Sequence, residues 1–113
     1  MKLEATRTCR ECNAPLRAKA RPEAEFCGTS CRISWWNRRR ARGGDLYDAF
    51  MAMRYDREEA RDEGLWALMC RMAQTWNDED KAAGRQSYYP PQETVQRNIR
   101  HKATVMVKRK RNG

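Results

Sequence analysis

Apolar residues recur at a helical period through the middle of the chain. Leu46, Ala49, Phe50 and Met53 fall at i, i+3, i+4 and i+7 behind Asp45, which suits a helix N-cap. Leu65, Leu68, Met69, Met72 and Trp76 resume the period at i, i+3, i+4, i+7 and i+11, and Asp62-Glu63-Gly64 between the stripes predicts a break or bend. Two amphipathic helices packed stripe to stripe satisfy both patterns. The run Asn77-Asp78-Glu79-Asp80 places acid near the end of the second helix, against the macrodipole, so fraying is expected there before Ala82, Ala83 and Gly84 close it.

The pattern is weaker on either side. Pro15 and Pro22 oppose a helix before Phe26, so residues 13–26 read as a loop or short hairpin. A helix capped by Thr29 or Ser30 then carries Trp35, Trp36 and a group of arginines, and Gly43-Gly44 is expected to end it. Pro90-Pro91 stops the central segment and opens a short third helix toward His101, with Val95 and Ile99 at i, i+4. The remaining ATVMVKRKRNG fits an edge strand with a tail, or an unstructured tail, equally well. Three parts follow, residues 1–44, 45–84 and 85–113.

Charge obeys the same division. Residues 1–44 hold eleven Lys and Arg against four Asp and Glu, net +7; residues 45–84 are net −5; residues 85–113 are net +7. A basic, acidic, basic chain of net +9 suits nucleic acid, an anionic surface or an acidic protein, unless the middle neutralises its own flanks. The N-terminal MKLEATRTCREC has no apolar signal core and no run is long enough to span a bilayer, so a reduced cytoplasmic setting without membrane attachment is expected.

In that setting the cysteines point to metal. Cys9 and Cys12 form a CxxC, and after fourteen residues Cys27 and Cys31 form a CxxxC. Each pair presents two sulfurs from about one turn of backbone, and two pairs complete a closed four-thiolate site for one structural Zn²⁺. Asn13 follows the first pair where a knuckle needs positive φ, and Cys31 falls in the first helical turn, where free N–H groups favour a thiolate. Arg10 and Arg32, beside ligands, would offset the net −2 of the loaded site. Two disulfides or unrelated buried thiols are the competing reading. Cys70 reads as a partly buried small apolar residue.

CREC and FCGTSCR leading into an arginine-rich helix resemble the FCS-type treble-clef zinc fingers of small bacterial and phage proteins. The ligand spacing is also similar to that of the small bacterial zinc proteins that inhibit DNA gyrase. The resemblance covers about residues 9–42. It implies a treble-clef module in which Cys9, Cys12, Cys27 and Cys31 are the ligands and Phe26 packs under the site. Gly28 replaces the usual Ser and Asn13 the usual Gly, and neither change threatens metal binding. GGDLYDAFMAMRYDREEARDEGLWALMCRMA resembles small proteins carried by phages and prophages, which implies a bacterial host cytoplasm.

At about 100° per residue, Cys31, Trp35, Arg38 and Arg42 share one side of the helix and Ile33, Trp36 and Arg40 lie roughly opposite. Trp35 is expected to cover the zinc module, and Trp36 to dock on Leu46, Phe50 and Met53. Arg32, Arg38, Arg39, Arg40 and Arg42, with the tail Lys108, Arg109, Lys110 and Arg111, form the candidate nucleic-acid contact, since arginine forks fit phosphate and the guanine edge. Pairing with Asp45, Asp48 or the acids of 56–63 is the alternative. Tyr88 and Tyr89 could stack on a base, although packing suits a pair before Pro-Pro better.

The expected protein is small and mainly α: an N-terminal treble-clef four-cysteine zinc module, a helical hairpin and a basic C-terminal segment. With a single His, no nucleophile motif and no open metal position, an enzyme is not expected. The leading expectation is a DNA-binding transcription regulator, with a homodimer through the helix pair. The alternative is an interaction protein that inhibits or redirects a host nucleic-acid enzyme or defence complex.

Overall fold

The computed structural model describes residues 7–98. They form α1 (Thr29–Tyr55), α2 (Arg57–Asp62), α3 (Leu65–Ala83) and α4 (Pro91–Arg97), preceded by a cysteine-bearing loop with an isolated antiparallel bridge between Thr8 and Pro15. No helix among the described residues is long and apolar enough to cross a membrane.

The main departure from expectation is α1. It runs for 27 residues, about 40 Å at 1.5 Å per residue, straight through Gly43-Gly44 and past Asp45, so the expected stop and the expected new N-cap are both absent. Glycine costs about 1 kcal/mol in a helix interior but does not forbid it. Contacts on both sides of the pair hold the helix together: Arg42 is tied to Asp80 of α3 before it, and Ala49 is buried after it. A Cβ at either glycine would meet nothing within 4 Å. Gly43→Ala and Gly44→Ala are therefore each expected to raise stability by about 0.5–1 kcal/mol. A fall in melting temperature in either variant would contradict the unbroken helix.

The N-cap of α1 is Gly28, with no side-chain capping bond, in place of the expected Thr29 or Ser30. The chain turns at Asp56, a break not expected, and again at the expected Gly64, whose φ of 75° is natural for glycine. α1, α2 and α3 pack on one another. Leu46, Met53, Leu65, Met69, Met72 and Trp76 are half-buried, but Phe50 and Leu68, expected inside, are exposed. Beyond Asp80, where fraying was expected, α3 keeps its helical turn to Ala83. Gly84 closes it with φ 73°, and the Arg85 N–H reaches back to the Asp80 carbonyl at 3.0 Å.

α4 begins on Pro91 as expected and ends at Arg97; Ile99, His101 and the KRKR tail lie outside the described residues. The best-buried part of the molecule is where the cysteine loop, α1 and the segment before α4 meet. Trp35 is fully buried there, with Phe26 at 5.7 Å and Tyr89 at 5.6 Å between ring centroids.

Candidate metal centre and the arginine face

Two local structures deliver the cysteines. In the first, the Cys9 N–H bonds to the Ala14 carbonyl and the Asn13 N–H to the Cys9 carbonyl, both at 2.8 Å, which folds residues 9–14 into a tight knuckle. Asn13 closes it at φ 64°, the left-handed conformation predicted for it. The second is the start of α1, with Cys27 just before the helix and Cys31 in its first turn. The Arg10 N–H to the Glu25 carbonyl at 2.9 Å ties the two together.

The four sulfurs lie within 4.8 Å of one another, with Cys12 to Cys27 and Cys27 to Cys31 both at 3.6 Å. Sulfurs 2.3 Å from a central zinc form a tetrahedron with edges of about 3.8 Å, so the set fits that ion. Cys9 is buried, Cys31 is half-buried, and Cys12 and Cys27 reach the surface. All four are free thiols, not the disulfides of the competing reading. A bound zinc would be held by these four thiolates, which leave no position open, and would fasten the knuckle to the helix.

Burial pushes the Cys9 thiol up, but the backbone N–H groups of Cys12, Cys27 and Glu11 outweigh it and bring it down to about 7. Burial and the neighbouring Cys27, Cys12 and Cys9 push Cys31 up to about 12. Cys27 is raised as well, first by its contact with Cys12. Without a cation the raised Cys27 and Cys31 thiols oppose full deprotonation, and a bound divalent ion would supply the missing charge.

Arg10, expected to offset the charge of the loaded site, has acidic partners of its own. Its guanidinium pairs with Glu25 at 3.3 Å and Glu93 at 3.2 Å, bonds Gln86 at 3.0 Å and lies 4.8 Å over Tyr89. Arg97 joins the same group, pairing with Glu25 and lying 3.9 Å over the Tyr89 ring. The Tyr89 hydroxyl donates to Glu25 at 2.7 Å. Burial and that carboxylate push the Tyr89 phenol up to about 12. α4 is thus held to the cysteine loop by ion pairs arranged around one buried ring.

Of the five α1 arginines expected to contact nucleic acid, three turn inward. Arg38 pairs with Glu11 of the knuckle; Arg42 bonds Asp80 at 2.8 Å and Glu79 at 2.9 Å; Arg39 lies 4.6 Å over Trp35 and 4.9 Å over Tyr89. The pairing of the alternative reading is thus present for Arg38 and Arg42, but with Glu11 and the acids near the end of α3, not with Asp45, Asp48 or 56–63. Asp80, 1% exposed, also accepts from Arg85 at 2.7 Å and Ser87 at 2.9 Å. Burial alone would raise the Asp80 carboxyl, but Arg42, Arg85 and Ser87 hold it below the usual carboxylate range. Arg32 and Arg40 remain exposed, Arg40 donating to Asn37 at 2.9 Å. Lys108, Arg109, Lys110 and Arg111 lie outside the described residues.

Trp36 is half-buried near Tyr89, 6.5 Å between centroids, so it docks toward the C-terminal segment. Cys70 is exposed and lines a groove of about 660 Å³ with Leu46, Trp76 and Tyr88. Sequence reasoning missed Asp80, although it lies in phase with Leu65, Met69, Met72 and Trp76; an acid on an apolar stripe was the available signal.

No family model, curated protein or solved structure matches the chain.

Proposed function

We propose that this chain is a non-enzymatic treble-clef zinc finger of the FCS type that binds nucleic acid, DNA in a bacterial or phage-infected cytoplasm, and regulates transcription. One observation carries the reading: the four-sulfur module bears more cations than the fold's own acids consume, and Arg32 and Arg40 stand exposed on the helix it anchors. The net charge of +9, with Lys108–Arg111 in the tail, supports the same reading. A closed four-thiolate site has no position for substrate, which supports a structural use of the metal.

A second reading is favoured by a separate observation. Tyr47, Phe50, Met51 and Tyr55 are exposed at i, i+3, i+4 and i+8 on α1, and Trp66 and Leu68 are exposed on α3. Large apolar side chains in that number suit a protein interface, either a homodimer or a host nucleic-acid enzyme.

Light-scattering mass with and without a DNA duplex tests the first reading. The zinc-loaded protein is expected to shift to a protein–duplex mass at about 50 mM salt, where even non-specific contacts hold. No shift would reject nucleic-acid binding. A stoichiometric protein captured from nuclease-treated bacterial lysate, with no duplex shift, would favour the second.

A further inference from the structure

We infer that the loop of the zinc module, through Arg17, Lys19 and Arg21, is a phosphate-contacting surface for a nucleic-acid backbone; the inference rests on the nucleic-acid reading above. The expected helix face is largely spent inside the fold. Between residues 7 and 44, Arg10, Arg38 and Arg42 are paired with acids, Arg39 is laid across Trp35 and Tyr89, and Arg7 is bonded to carbonyls. Arg17, Lys19 and Arg21 are all exposed and have no acidic partner among the described residues.

The loop is built to hold that presentation. Leu16, 8% exposed, anchors its start, and the Leu16 N–H bonds the Arg7 carbonyl at 2.9 Å. The Arg7 guanidinium then gathers the carbonyls of Ala20 at 3.1 Å, Arg21 at 2.8 Å and Pro22 at 3.0 Å. Two tight turns, Ala20 N–H to Arg17 carbonyl and Ala24 N–H to Arg21 carbonyl, both at 3.0 Å, fix the remaining backbone. The carbonyls are thereby turned toward Arg7 while the cations at alternate positions reach solvent. The residues between them, Ala18 and Ala20, are methyl-sized and leave an approaching backbone unobstructed.

Arg17 and Arg21 also line a depression of about 350 Å³ with Glu23, Phe26 and Cys27, which places them on the flank of the metal cluster. Arg32, exposed and next to the ligand Cys31, extends the basic character of the module. A loop ordered before binding loses little entropy on contact, and an arginine fork grips a phosphate with two donors. The fold holds Arg17, Lys19 and Arg21 as a ready set of backbone contacts that read charge rather than base sequence.

Fluorescence anisotropy of a labelled DNA duplex against salt, with the zinc-loaded full chain, tests this. The triple variant Arg17→Ala, Lys19→Ala, Arg21→Ala is expected to keep one zinc per chain. Its plot of log affinity against log salt should be shallower than that of the parent by about 2–3. Single changes to Gln at each position, which spare the loop backbone, should each remove about 0.9. A parent slope left unchanged by every variant overturns the loop assignment while the nucleic-acid reading stands. Failure of the parent protein itself to bind at about 50 mM salt overturns that reading and the loop with it.

Discussion

Removing the metal, by chelation or by Cys27→Ser, is expected to unfold residues 9–31 and leave α3 standing. Between residues 9 and 31 only Cys9 and Leu16 are buried, so little apolar area holds the segment. A fully buried Leu side chain contributes about 1.5–3 kcal/mol, whereas structural zinc binding in small peptides supplies about 10–16 kcal/mol. Hydrogen exchange should lose protection across the knuckle and the first turn of α1. α4 should loosen as well, because Glu25 is the anchor shared by Arg10, Arg97 and Tyr89. Residues 65–83 should keep their protection, since α3 packs on α1 and is pinned at Asp80. Unchanged exchange over 9–31 in the metal-free protein would mean that the loop folds without the ion.

Asp80→Ala is expected to cost about 3–5 kcal/mol, the range for breaking a buried ion pair by removing one partner. In a domain of this size that is a fall in melting temperature of about 12 °C or more. The carboxylate receives Arg42, Arg85 and Ser87 at 2.7–2.9 Å, with Arg38 3.9 Å away, and its loss strands guanidinium groups that are themselves largely covered. It is also the knot between α1, the end of α3 and the segment leading to α4. Because its folded pKa is held below the usual value, the stability it adds is present above the ordinary carboxylate range and is lost as pH falls through the lowered one. The gap in stability between the parent and Asp80→Asn should therefore be full at neutral pH and narrow in acid. A loss under about 1 kcal/mol, the size of an exposed pair, would contradict the role assigned to Asp80.

The four-cysteine cluster was legible because cysteine spacing is a local property. CxxC and CxxxC need one turn of backbone each, and the structure brings all four sulfurs together as that spacing requires. Asn13 was legible for the same reason, through a single dihedral angle. Local propensity places a helix boundary at Gly43-Gly44, but phase overrides it. Cys31, Trp35, Arg38, Arg42, Leu46, Ala49 and Met53 keep one period of 3.6 across the glycines, and that unbroken phase was the signal for α1. It was obscured because the inward stripe includes arginines, which look like solvent-facing residues until their partners are known. Those partners, Glu11 and Asp80, are 27 and 38 residues distant from Arg38 and Arg42, a separation that no local pattern encodes. The exposure of Phe50 and Leu68 was illegible likewise, since a stripe shows that a face is apolar and not what covers it.

The ion itself gives the most direct test. X-ray absorption at the zinc edge of the purified, reduced protein should report one zinc per chain, surrounded by four sulfurs at about 2.3 Å. Nitrogen or oxygen donors bound to the zinc, or a chain that folds with no metal bound, would contradict the four-cysteine centre.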